Sequence, residues 1–438
     1  MAYRPAEGAS AQESLPQGSS LRERRFVVTG GFPLSGAISI GGSKNAALPL
    51  MAACLLTPEP CALEGVPDIE DVRIMAEVLR SLGARLENTG PGKMVIQANH
   101  IYNLAAPTNL VKKMRGSFLV MGPLLARFGQ GSSCPPGGDV IGQRPIDVHL
   151  VGFAALGARI SKDGEVYTAV CPRLKGTEIF MDYPSHIGTE NLLMAACLAQ
   201  GKTVLLNASQ EPEVVDLASM LLKMGARIKG IGTSVIEVEG VDQLGGARHS
   251  PIPDRIEAGT FAIAAAVAGG DVRLNNVRTD HLASLIWKLR EIGIDAAGVG
   301  DSLFISRRGA LTAVNVQALP YPGFATDLQA AIGVLLTQAE GTSIIHERVY
   351  DNRLLYVKEL RKMGAMVAVN GQTAVIKGPC KLKGASVRAL DIRSGAALMI
   401  AGLAAEGKSE IEDILHLERG YGGIDGKLRA LGAQVERV

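Results

Sequence analysis

The stretch Gly188-Thr-Glu-Asn-Leu-Leu-Met-Ala-Ala-Cys-Leu-Ala-Gln-Gly201 decides how this chain folds, because it predicts a helix that has no polar face. Apolar or small residues fill nearly every position from Leu192 to Ala199, which is typical of a helix buried on all sides. Gly201 would end this helix as a left-handed C-cap residue. The elements predicted to follow are a strand, an amphipathic helix and two short strands, at residues 203–207, 214–224, 227–230 and 234–239.

The same unit recurs along the chain. Its mark is an apolar residue followed by glycine and a small or apolar residue, which closes an amphipathic helix about every 70 residues. The six triplets are Leu82-Gly83-Ala84, Leu156-Gly157-Ala158, Met224-Gly225-Ala226, Ile292-Gly293-Ile294, Met363-Gly364-Ala365 and Leu431-Gly432-Ala433. This period exceeds the roughly 20–50 residues of solenoid repeats, so each repeat is predicted to be a small βαβαββ unit of its own.

Six such units predict an α/β protein with its small-residue helices packed at the centre and its sheets outside. The third and fourth units meet near Ser250-Pro-Ile-Pro-Asp254, where the chain is expected to cross between two halves of three units each. The strand-like segment 25–29 could pair with either half. The predicted division is a disordered tail at 1–23, a first domain at 44–252, and a second domain formed by 24–43 plus 253–438.

Composition excludes several classes of function. Of the 438 residues 47% are hydrophobic and 20% are charged, and the net charge is +2, which argues against disorder and against a bulk field for nucleic acid or anionic membranes. No apolar run approaches the roughly 20 residues that span a bilayer. The six cysteines form no C-x-x-C pair and no metal-ligand spacing with histidine. We therefore expect a soluble cytoplasmic protein without a metal, a nucleic-acid partner or membrane insertion.

The starts of the buried helices carry the candidate chemistry. Unpaired N–H groups and a partial positive charge make a helix N-terminus favourable for anions, so several starts that converge would form an anion-binding cleft between the domains. Lys44, Arg115 and Arg393 would reinforce it. The six predicted starts are Ser43-Lys44-Asn45, Met114-Arg115-Gly116, Gly188-Thr189-Glu190, Ala258-Gly259-Thr260, Thr326-Asp327-Leu328 and Ile392-Arg393-Ser394.

Each of these residues also has a simpler interpretation. Lys44 suits a solvated first turn, and Pro49 inside its helix predicts a kink or a shifted start. Asp327 suits a helix-start acid, whereas Arg353 and Arg419 suit surface ion pairs. The corresponding interpretations are turn formation for Asp139, turn bracing for Arg144 and core packing for His149. Joint occurrence at equivalent positions of separate repeats favours a site.

Seven motifs, which run in order from about residue 25 to the C-terminus, resemble those of one known family. They are Gly-Gly-Ser-Lys-Asn-Ala-Ala-Leu-Pro at 41–49, Met-Arg-Gly-Ser at 114–117, Pro-Gly-Gly-Asp-Val-Ile-Gly-Gln-Arg-Pro-Ile-Asp at 136–147, Phe-Ala-Thr-Asp-Leu-Gln-Ala at 324–330, Asn-Arg at 352–353, Asp-Ile-Arg-Ser at 391–394 and Glu-Arg-Gly-Tyr at 418–421. The chain resembles the UDP-N-acetylglucosamine 1-carboxyvinyltransferases, a family of enolpyruvyl transferases. This resemblance implies an inside-out α/β barrel, with two domains of three βαβαββ units and an active site between them.

The resemblance also implies the reaction and its partners. The family transfers the enolpyruvyl group of phosphoenolpyruvate to the 3′-hydroxyl of UDP-N-acetylglucosamine and releases phosphate, by addition and elimination through a tetrahedral intermediate. It uses no metal or organic cofactor, and its reaction opens peptidoglycan precursor synthesis. Such substrates carry phosphate, carboxylate and diphosphate groups, for which arginine offers bidentate binding.

Site residues follow from the same resemblance. Asp139, on a lid loop at about 130–143, is implied as the proton donor and Asp327 as the general base, with Lys44 and Arg419 assisting catalysis. The implied substrate-binding residues are Lys44, Asn45, Arg115, Arg144, Pro145, Ile146, Asp147, Val148, Ser185, Asp327, Val349, Arg353, Arg393 and Arg419.

Three alternative functions stay open. The first is the sister activity on shikimate 3-phosphate, which disagrees with the Asn-Ala-Ala-Leu-Pro that follows Lys44, since the sister family typically has serine and histidine there. The second is a secondary-metabolism relative that uses another nucleotide. The third is a paralogue that binds UDP-N-acetylglucosamine as a regulator without turnover, which the intact set of Lys44, Arg115, Asp327 and Arg419 argues against.

The lid differs from the commonest family pattern, which has cysteine where this chain has Asp139. Since the family's inhibitor fosfomycin alkylates that cysteine, we expect this protein to resist it and Asp139→Cys to remain active and become sensitive. The measurement is residual activity after incubation with fosfomycin, with the unaltered chain as control. Rapid stoichiometric inactivation of the unaltered chain, with Cys134 as the residue to check for label, would contradict the first expectation. An active Asp139→Cys variant that fosfomycin leaves unaffected would contradict the second.

Overall fold

The structure is a computed structural model that describes residues 25–138, 141–142 and 146–438. The predicted tail at 1–23 lies outside the described residues, as do three predicted site residues, Asp139, Arg144 and Pro145. The α-helices are α1 (Lys44–Ala53), α2 (Glu70–Leu82), α3 (Thr108–Val111), α4 (Met121–Phe128), α5 (Asp147–Ala155), α6 (His186–Ala196), α7 (Pro212–Lys223), α8 (Arg255–Ala268), α9 (Ala283–Ile292), α10 (Gln329–Leu336), α11 (Val357–Lys362), α12 (Ile392–Ala404), α13 (Leu415–Glu418) and α14 (Ile424–Ala430). Four 3₁₀ helices lie at Cys54–Leu56, Arg115–Val120, Thr279–Leu282 and Thr326–Leu328.

The strands form six small sheets within the described residues. They are β1 (Phe26–Thr29), β2 (Leu34–Ser39), β3 (Cys61–Glu64), β4 (Arg85–Gly90), β5 (Lys93–Gln97), β6 (Gln130–Ser133), β7 (Arg159–Asp163), β8 (Val166–Val170), β9 (Glu178–Phe180), β10 (Lys202–Leu206), β11 (Arg227–Lys229), β12 (Val235–Glu239), β13 (Arg248–His249), β14 (Gly270–Asn275), β15 (Asp295–Val299), β16 (Ser302–Arg307), β17 (Val316–Ala318), β18 (Gly341–Glu347), β19 (Met366–Asn370), β20 (Thr373–Gly378), β21 (Ser386–Arg388), β22 (Lys408–Glu412) and β23 (Gln434–Arg437). The sheet orders are β13-β3-β5-β4, β6-β8-β7, β11-β12-β10-β9, β15-β16-β14-β2, β17-β18-β20-β19 and β21-β22-β1-β23.

The third unit shows how one repeat is built. Its leading strand β9 pairs in parallel with β10, and β12 pairs antiparallel on the other side of β10, so that the whole unit reads β9-α6-β10-α7-β11-β12. Helix α6 is buried along nearly its whole length, whereas α7 buries one face and packs mainly against α1 and α6. The predicted order of elements is therefore confirmed, and with it the α/β inside-out barrel, in which central helices are surrounded by sheets.

The six triplet glycines all adopt the left-handed conformation that ends a helix. Their φ angles lie between 93° and 110° for Gly83, Gly157, Gly225, Gly293, Gly364 and Gly432. At the first of them, Gly83 donates its N–H to Arg80 O and the next N–H goes to Leu79 O, which is a Schellman arrangement. The repeat signal thus came from a backbone requirement, since a residue with a Cβ is strained at this φ.

Two of the predicted helix starts were wrong. The third helix begins at His186 and not at Gly188, because Ser185 is its N-cap and accepts from Gly188 N. The fourth begins at Arg255 and not at Ala258, because Asp254 caps Ile256 N and Glu257 N. Small-residue helices carry no apolar stripe to mark their ends, so only the cap residue identifies the start. Helix α1 continues through Pro49, so its start is not shifted.

The chain crosses between its two halves twice, at about residues 40–43 and 250–254, and the two crossing segments are hydrogen-bonded to each other. Strand β13 follows the third unit but leads the sheet of the first, whereas β2 precedes the first unit but leads the sheet of the fourth. At the crossings Ser43 N donates to Ile252 O at 2.7 Å and Asp254 N donates to Gly41 O at 2.9 Å. The N-terminal strand β1 lies between β22 and β23 in the sheet of the sixth unit.

Two separate hydrophobic clusters form the interior. The N-terminal core contains buried side chains from Ala46 to Leu244, and the C-terminal core contains those from Phe26 to Ile40 and from Ile256 to Val435. The division into domains at 44–252 and at 24–43 plus 253–438 stays a proposal, which these two cores support. The six cysteines are all free and buried.

The left-handed glycines provide a test of the repeat. Nothing lies within 4 Å of a Cβ built on Gly225, whose φ is +101°, so Gly225→Ala should cost only backbone strain. We expect this substitution to lower the free energy of unfolding of the protein, measured by urea denaturation, by about 1–2 kcal/mol. Gly309→Ala is the matched control, because Gly309 also has no neighbour within 4 Å but lies outside the left-handed region. Equal stability of the two variants would show that the triplets do not act through φ.

Candidate active site

The starts of the six buried helices meet around one cavity of about 470 Å³. Three come from the N-terminal core and three from the C-terminal core. The cavity-lining residues at these starts are Lys44 and Asn45, Arg115 and Gly116, Ser185 and His186, Arg255 and Ile256, Thr326 and Asp327, and Ile392 and Arg393. The convergence expected from the helix starts is therefore present, and it directs N–H groups and partial positive charge to one space.

Side-chain caps hold four of these starts in place. Ser43 Oγ accepts from Ala46 N, Ser185 Oγ accepts from Gly188 N, and Asp391 forms a capping box with Ser394. Asp254 caps α8, and its second oxygen accepts from the N–H of Lys44 at 3.2 Å. This carboxylate therefore ties the start of α8 to the start of α1 across the crossing.

A buried carboxylate joins two cations from opposite cores. Asp71, at the start of α2, binds Lys44 Nζ at 2.8 Å and Arg419 Nε at 3.0 Å. Burial would raise the pKa of Asp71, but Lys44 and Arg419 outweigh it and hold the pKa below its usual value. Lys44 is therefore not the solvated first-turn residue of the simpler interpretation, and Arg419 is not a surface ion pair.

A second carboxylate, Asp327, is held by two arginines. Arg353 Nη2 donates to Oδ1 at 2.7 Å, and Arg393 donates to Oδ2 through Nε at 3.0 Å, with Nη2 at 2.9 Å from the same oxygen. Burial would raise the pKa of Asp327, but Arg393 and Arg353 hold it far below its usual range. Arg353 Nε and Arg393 Nη1 are buried and have no hydrogen-bond partner within the described chain, so each arginine retains an unused donor.

Acidic side chains line a different part of the cavity. Arg255 binds both Glu211 and Glu213, with Nε 3.0 Å from Glu213 Oε1. His186 Nε2 lies 3.0 Å from Oε1 of the buried Glu190. Burial would lower the pKa of His186, but Glu190 outweighs it and raises the pKa to about 9, which keeps the ring protonated at neutral pH.

The structure brings together most of the predicted site residues. Those that line the cavity are Lys44, Asn45, Arg115, Asp147, Val148, Ser185, Asp327, Val349, Arg353, Arg393 and Arg419. Ile146 is buried directly before α5 and does not line it. Asp139, Arg144 and Pro145 fall outside the described residues.

Sequence reasoning missed several residues of the cavity. Asp71 follows Glu70 at a helix start and looked like one of many first-turn acids. Arg255 would have been found if Asp254 had been recognised as the N-cap of the fourth helix. His186 was missed for the same reason at the third helix, since the predicted start, Gly188-Thr189-Glu190, lay two residues too late.

The site offers several cations to oxyanions in one cavity. In the basic part of the cavity, away from Glu190 and Glu211, the cations Lys44, Arg115, Arg353, Arg393 and Arg419 outnumber Asp71 and Asp327, the carboxylates to which four of them are bound. A set of fixed cations between two lobes is typical of a protein that binds ligands with several anionic groups. Comparison with known proteins then specifies the class further.

A family model described as EPSP synthase (3-phosphoshikimate 1-carboxyvinyltransferase) matches residues 28–428. UDP-N-acetylglucosamine 1-carboxyvinyltransferase 1 of Caldanaerobacter subterraneus subsp. tengcongensis is 49% identical over 413 residues, covering 94% of this chain and 99% of that protein. UDP-N-acetylglucosamine 1-carboxyvinyltransferase 2 of Carboxydothermus hydrogenoformans is 49% identical over 416 residues, with coverage of 94% and 99%. The chain therefore belongs to the enolpyruvyl transferases, and among them to the family of the UDP-N-acetylglucosamine 1-carboxyvinyltransferases.

Solved structures support the fold. The enolpyruvyl transferase NikO from Streptomyces tendae has a TM-score of 0.86 at 24% identity and covers 95% of this chain and 99% of its own. EPSP synthase from Acinetobacter baumannii has a TM-score of 0.77 at 18% identity, with coverage of 95% and 100%. In the part of the chain that the structure describes, no helix has the length and apolar character needed to cross a membrane.

The buried Asp71 provides a test of the cavity. Asp71→Asn would remove the charge that holds Lys44 beside Arg419, and we expect kcat/KM for enolpyruvyl transfer to fall about 10–100-fold, as for lost hydrogen bonds between charged groups. Asp68→Asn is the control. Asp68 lies three residues before Asp71 in the chain, is exposed and binds Arg73. Loss of activity in both variants to the same extent would contradict a specific role for Asp71.

Proposed function

We propose that this chain transfers the enolpyruvyl group of phosphoenolpyruvate to the 3′-hydroxyl of UDP-N-acetylglucosamine and releases phosphate. The observation that carries the proposal is the gathering of Lys44, Arg353, Arg393 and Arg419 around Asp71 and Asp327 at the meeting point of the helix starts. In a chain 49% identical to UDP-N-acetylglucosamine 1-carboxyvinyltransferases over 94% of its length, such a cavity fits these two polyanionic substrates. The reaction is an addition followed by an elimination, through a tetrahedral intermediate.

Phosphoenolpyruvate binds at the basic part of the cavity. Lys44, Arg115 and Arg419 bind its phosphate and carboxylate, since arginine presents paired N–H donors to an oxyanion. Asn45 lies beside Lys44 in the first turn of α1 and contacts both substrates. Closure of the cleft around the substrates would exclude water and so strengthen each of these contacts.

The nucleotide sugar binds along the starts of α5 and α6. The segment from Arg144 to Val148 binds the nucleotide, with Asp147 and Val148 lining the cavity and the buried Ile146 supporting them. Val148 lies close to the N-cap of α6, because a Cβ on Gly188 would be 2.8 Å from Val148 Cγ1 and 2.9 Å from Ser185 Oγ. Ser185 binds the diphosphate together with the N-terminus of α6, and Val349 contacts the sugar nucleotide.

Proton transfer needs one base and one acid. Asp327 takes the proton of the sugar hydroxyl, which requires that substrate oxyanions compete with it for Arg353 and Arg393 and so raise its pKa. Asp139 donates a proton to the vinyl carbon. A free carboxyl has a pKa of about 4, so Asp139 needs burial by the closed lid to remain protonated.

The rest of the assignment follows from this activity. The reaction needs no metal or organic cofactor, since proton transfer and oxyanion binding suffice for addition and elimination. The product is a cell-wall precursor, so the enzyme acts in the cytoplasm in the first committed step of peptidoglycan synthesis. The acceptor is UDP-N-acetylglucosamine and not shikimate 3-phosphate, because the relatives with 47–49% identity carry the former name, whereas the EPSP synthases match at 18–19%.

Phosphate release from phosphoenolpyruvate tests the proposal. We expect release with UDP-N-acetylglucosamine as acceptor and none above background with UMP or shikimate 3-phosphate. Asp327→Asn should lower kcat about 10²–10⁴-fold, the range for loss of a general base. Asp280→Asn, which changes an exposed aspartate bound to Arg278, should leave kcat unchanged. Release with shikimate 3-phosphate alone, or binding of UDP-N-acetylglucosamine without any phosphate release, would overturn the proposal.

A further inference from the structure

The helix that carries Arg115 is irregular at its middle. It is a 3₁₀ helix over Arg115–Val120 and becomes the α-helix α4 at Met121. Gly122 lies in the first turn of α4, where backbone N–H groups lack partners within the helix. Runs of 3₁₀ helix longer than about three or four residues are uncommon, and this one spans 6 residues, so the hydrogen bonds that stabilise it are informative.

The buried side-chain amide of Asn191, on α6, hydrogen-bonds to backbone groups on both sides of the change from 3₁₀ helix to α-helix. Gly122 N donates to Asn191 Oδ1 at 2.6 Å, and Asn191 Nδ2 donates to Phe118 O at 3.0 Å. The Nδ2 group also lies 3.1 Å from His149 Nδ1, on α5. One amide therefore bonds to the break in the Arg115 helix and to a neighbouring helix as well.

His149 is held as a neutral hydrogen-bond acceptor. It is buried and packs edge-on against Phe118, with ring centroids 5.0 Å apart. Burial lowers the pKa of His149 to about 3, with a further contribution from Arg115. Because Asn191 uses its oxygen for Gly122 N, its Nδ2 must face the ring, so Nδ1 of His149 is the acceptor and Nε2 carries the proton.

Helices α4 and α5 both approach α6 closely. A Cβ on Gly122 would overlap Asn191 Oδ1, and a Cβ on Gly152 of α5 would overlap Leu192 of α6. Contacts this close leave little freedom for one helix to shift without the others. The starts of these three segments carry Arg115, Asp147 with Val148, and Ser185, which belong to the phosphoenolpyruvate and nucleotide parts of the proposed site.

We propose that Asn191 and His149 are positioning residues, which fix the phosphoenolpyruvate-binding Arg115 and the nucleotide-binding starts of α5 and α6 relative to one another. The inference rests on the proposed function for the identity of the two substrates. Asn191 hydrogen-bonds from α6 to the Arg115 helix and to α5, whereas the hydrogen bond of His149 joins only α5 to α6, and a phenylalanine at 149 can keep the ring contact with Phe118. The two residues therefore have separable effects.

Removing only the hydrogen bond between His149 and Asn191 should weaken binding of the nucleotide sugar. We expect His149→Phe to raise KM for UDP-N-acetylglucosamine about tenfold and to leave KM for phosphoenolpyruvate within about twofold, since small misplacements of binding groups carry large penalties. His149→Asn can present its Oδ1 near the position of Nδ1, and should restore KM to within about threefold of the unaltered chain. Asn191→Leu should raise both KM values about tenfold or more.

A matched control separates positioning from stability. Ser343→Ala removes another buried hydrogen bond, which Val314 N donates to Ser343 Oγ at 3.2 Å in the C-terminal core. It should lower the melting temperature and leave both KM values unchanged. If Asn191→Leu does not fold, the comparison of His149→Phe with His149→Asn decides.

The Kd of UDP, measured by calorimetry, keeps this test independent of turnover. We expect His149→Phe to weaken UDP binding about tenfold and His149→Asn to restore it. These two expectations hold even if the unaltered chain releases no phosphate, because absence of phosphate release would contradict only the proposed function. The inference is overturned if His149→Phe destabilises the protein as Ser343→Ala does while the Kd of UDP and both KM values stay within twofold. It is equally overturned if His149→Asn behaves like His149→Phe.

Discussion

The structure depends on burying helices that have no polar face. A helix surrounded by other elements can carry polar side chains only at its ends, because an unpartnered polar group in the interior costs free energy. In this chain the six central helices all place their N-terminal ends at the same cavity. Chemistry is therefore concentrated where the fold itself leaves N–H groups unpaired. The same constraint explains why Lys44, Arg115, Asp327 and Arg393 stand at the first turn of helices that are otherwise apolar.

Two lobes share this cavity, and carboxylates connect their cations. Asp71 binds Lys44 of one lobe and Arg419 of the other, and Glu213 binds Arg255 across the same boundary. Unpaired charges buried at these positions would be strongly destabilising. The pairs therefore allow a set of cations large enough for polyanionic ligands to exist before a ligand arrives, and they also join the lobes near the crossings of the chain.

Sequence alone predicted the repeat, the central helices and the fold, because each depends on local properties. A left-handed C-cap requires glycine, and Gly83 and Gly225 mark the ends of their helices for that reason. Pairings between distant segments have no comparable signal in the local sequence. The exchange of β2 and β13 between units is a non-local choice, and Asp71, 348 positions from Arg419, resembled an ordinary first-turn acid. Asn191 likewise looked like one polar residue at the start of a buried helix, whereas its partners come from two other helices.

Binding anions and removing a proton make opposite demands on the same cavity. Arg353 and Arg393 are useful to an anionic ligand because they are fixed and charged, yet both lower the pKa of Asp327 and so weaken it as a base. Both demands can be met only if the bound ligand raises the pKa of Asp327. An oxyanion that takes donors from either arginine removes part of the charge that stabilises the carboxylate form, and the basicity of Asp327 then rises as the site fills. In the proposed mechanism, Asp327 is therefore a weak base before substrate binds and a stronger one afterwards, and this change requires no rearrangement of the backbone that carries Asp327, Arg353 and Arg393.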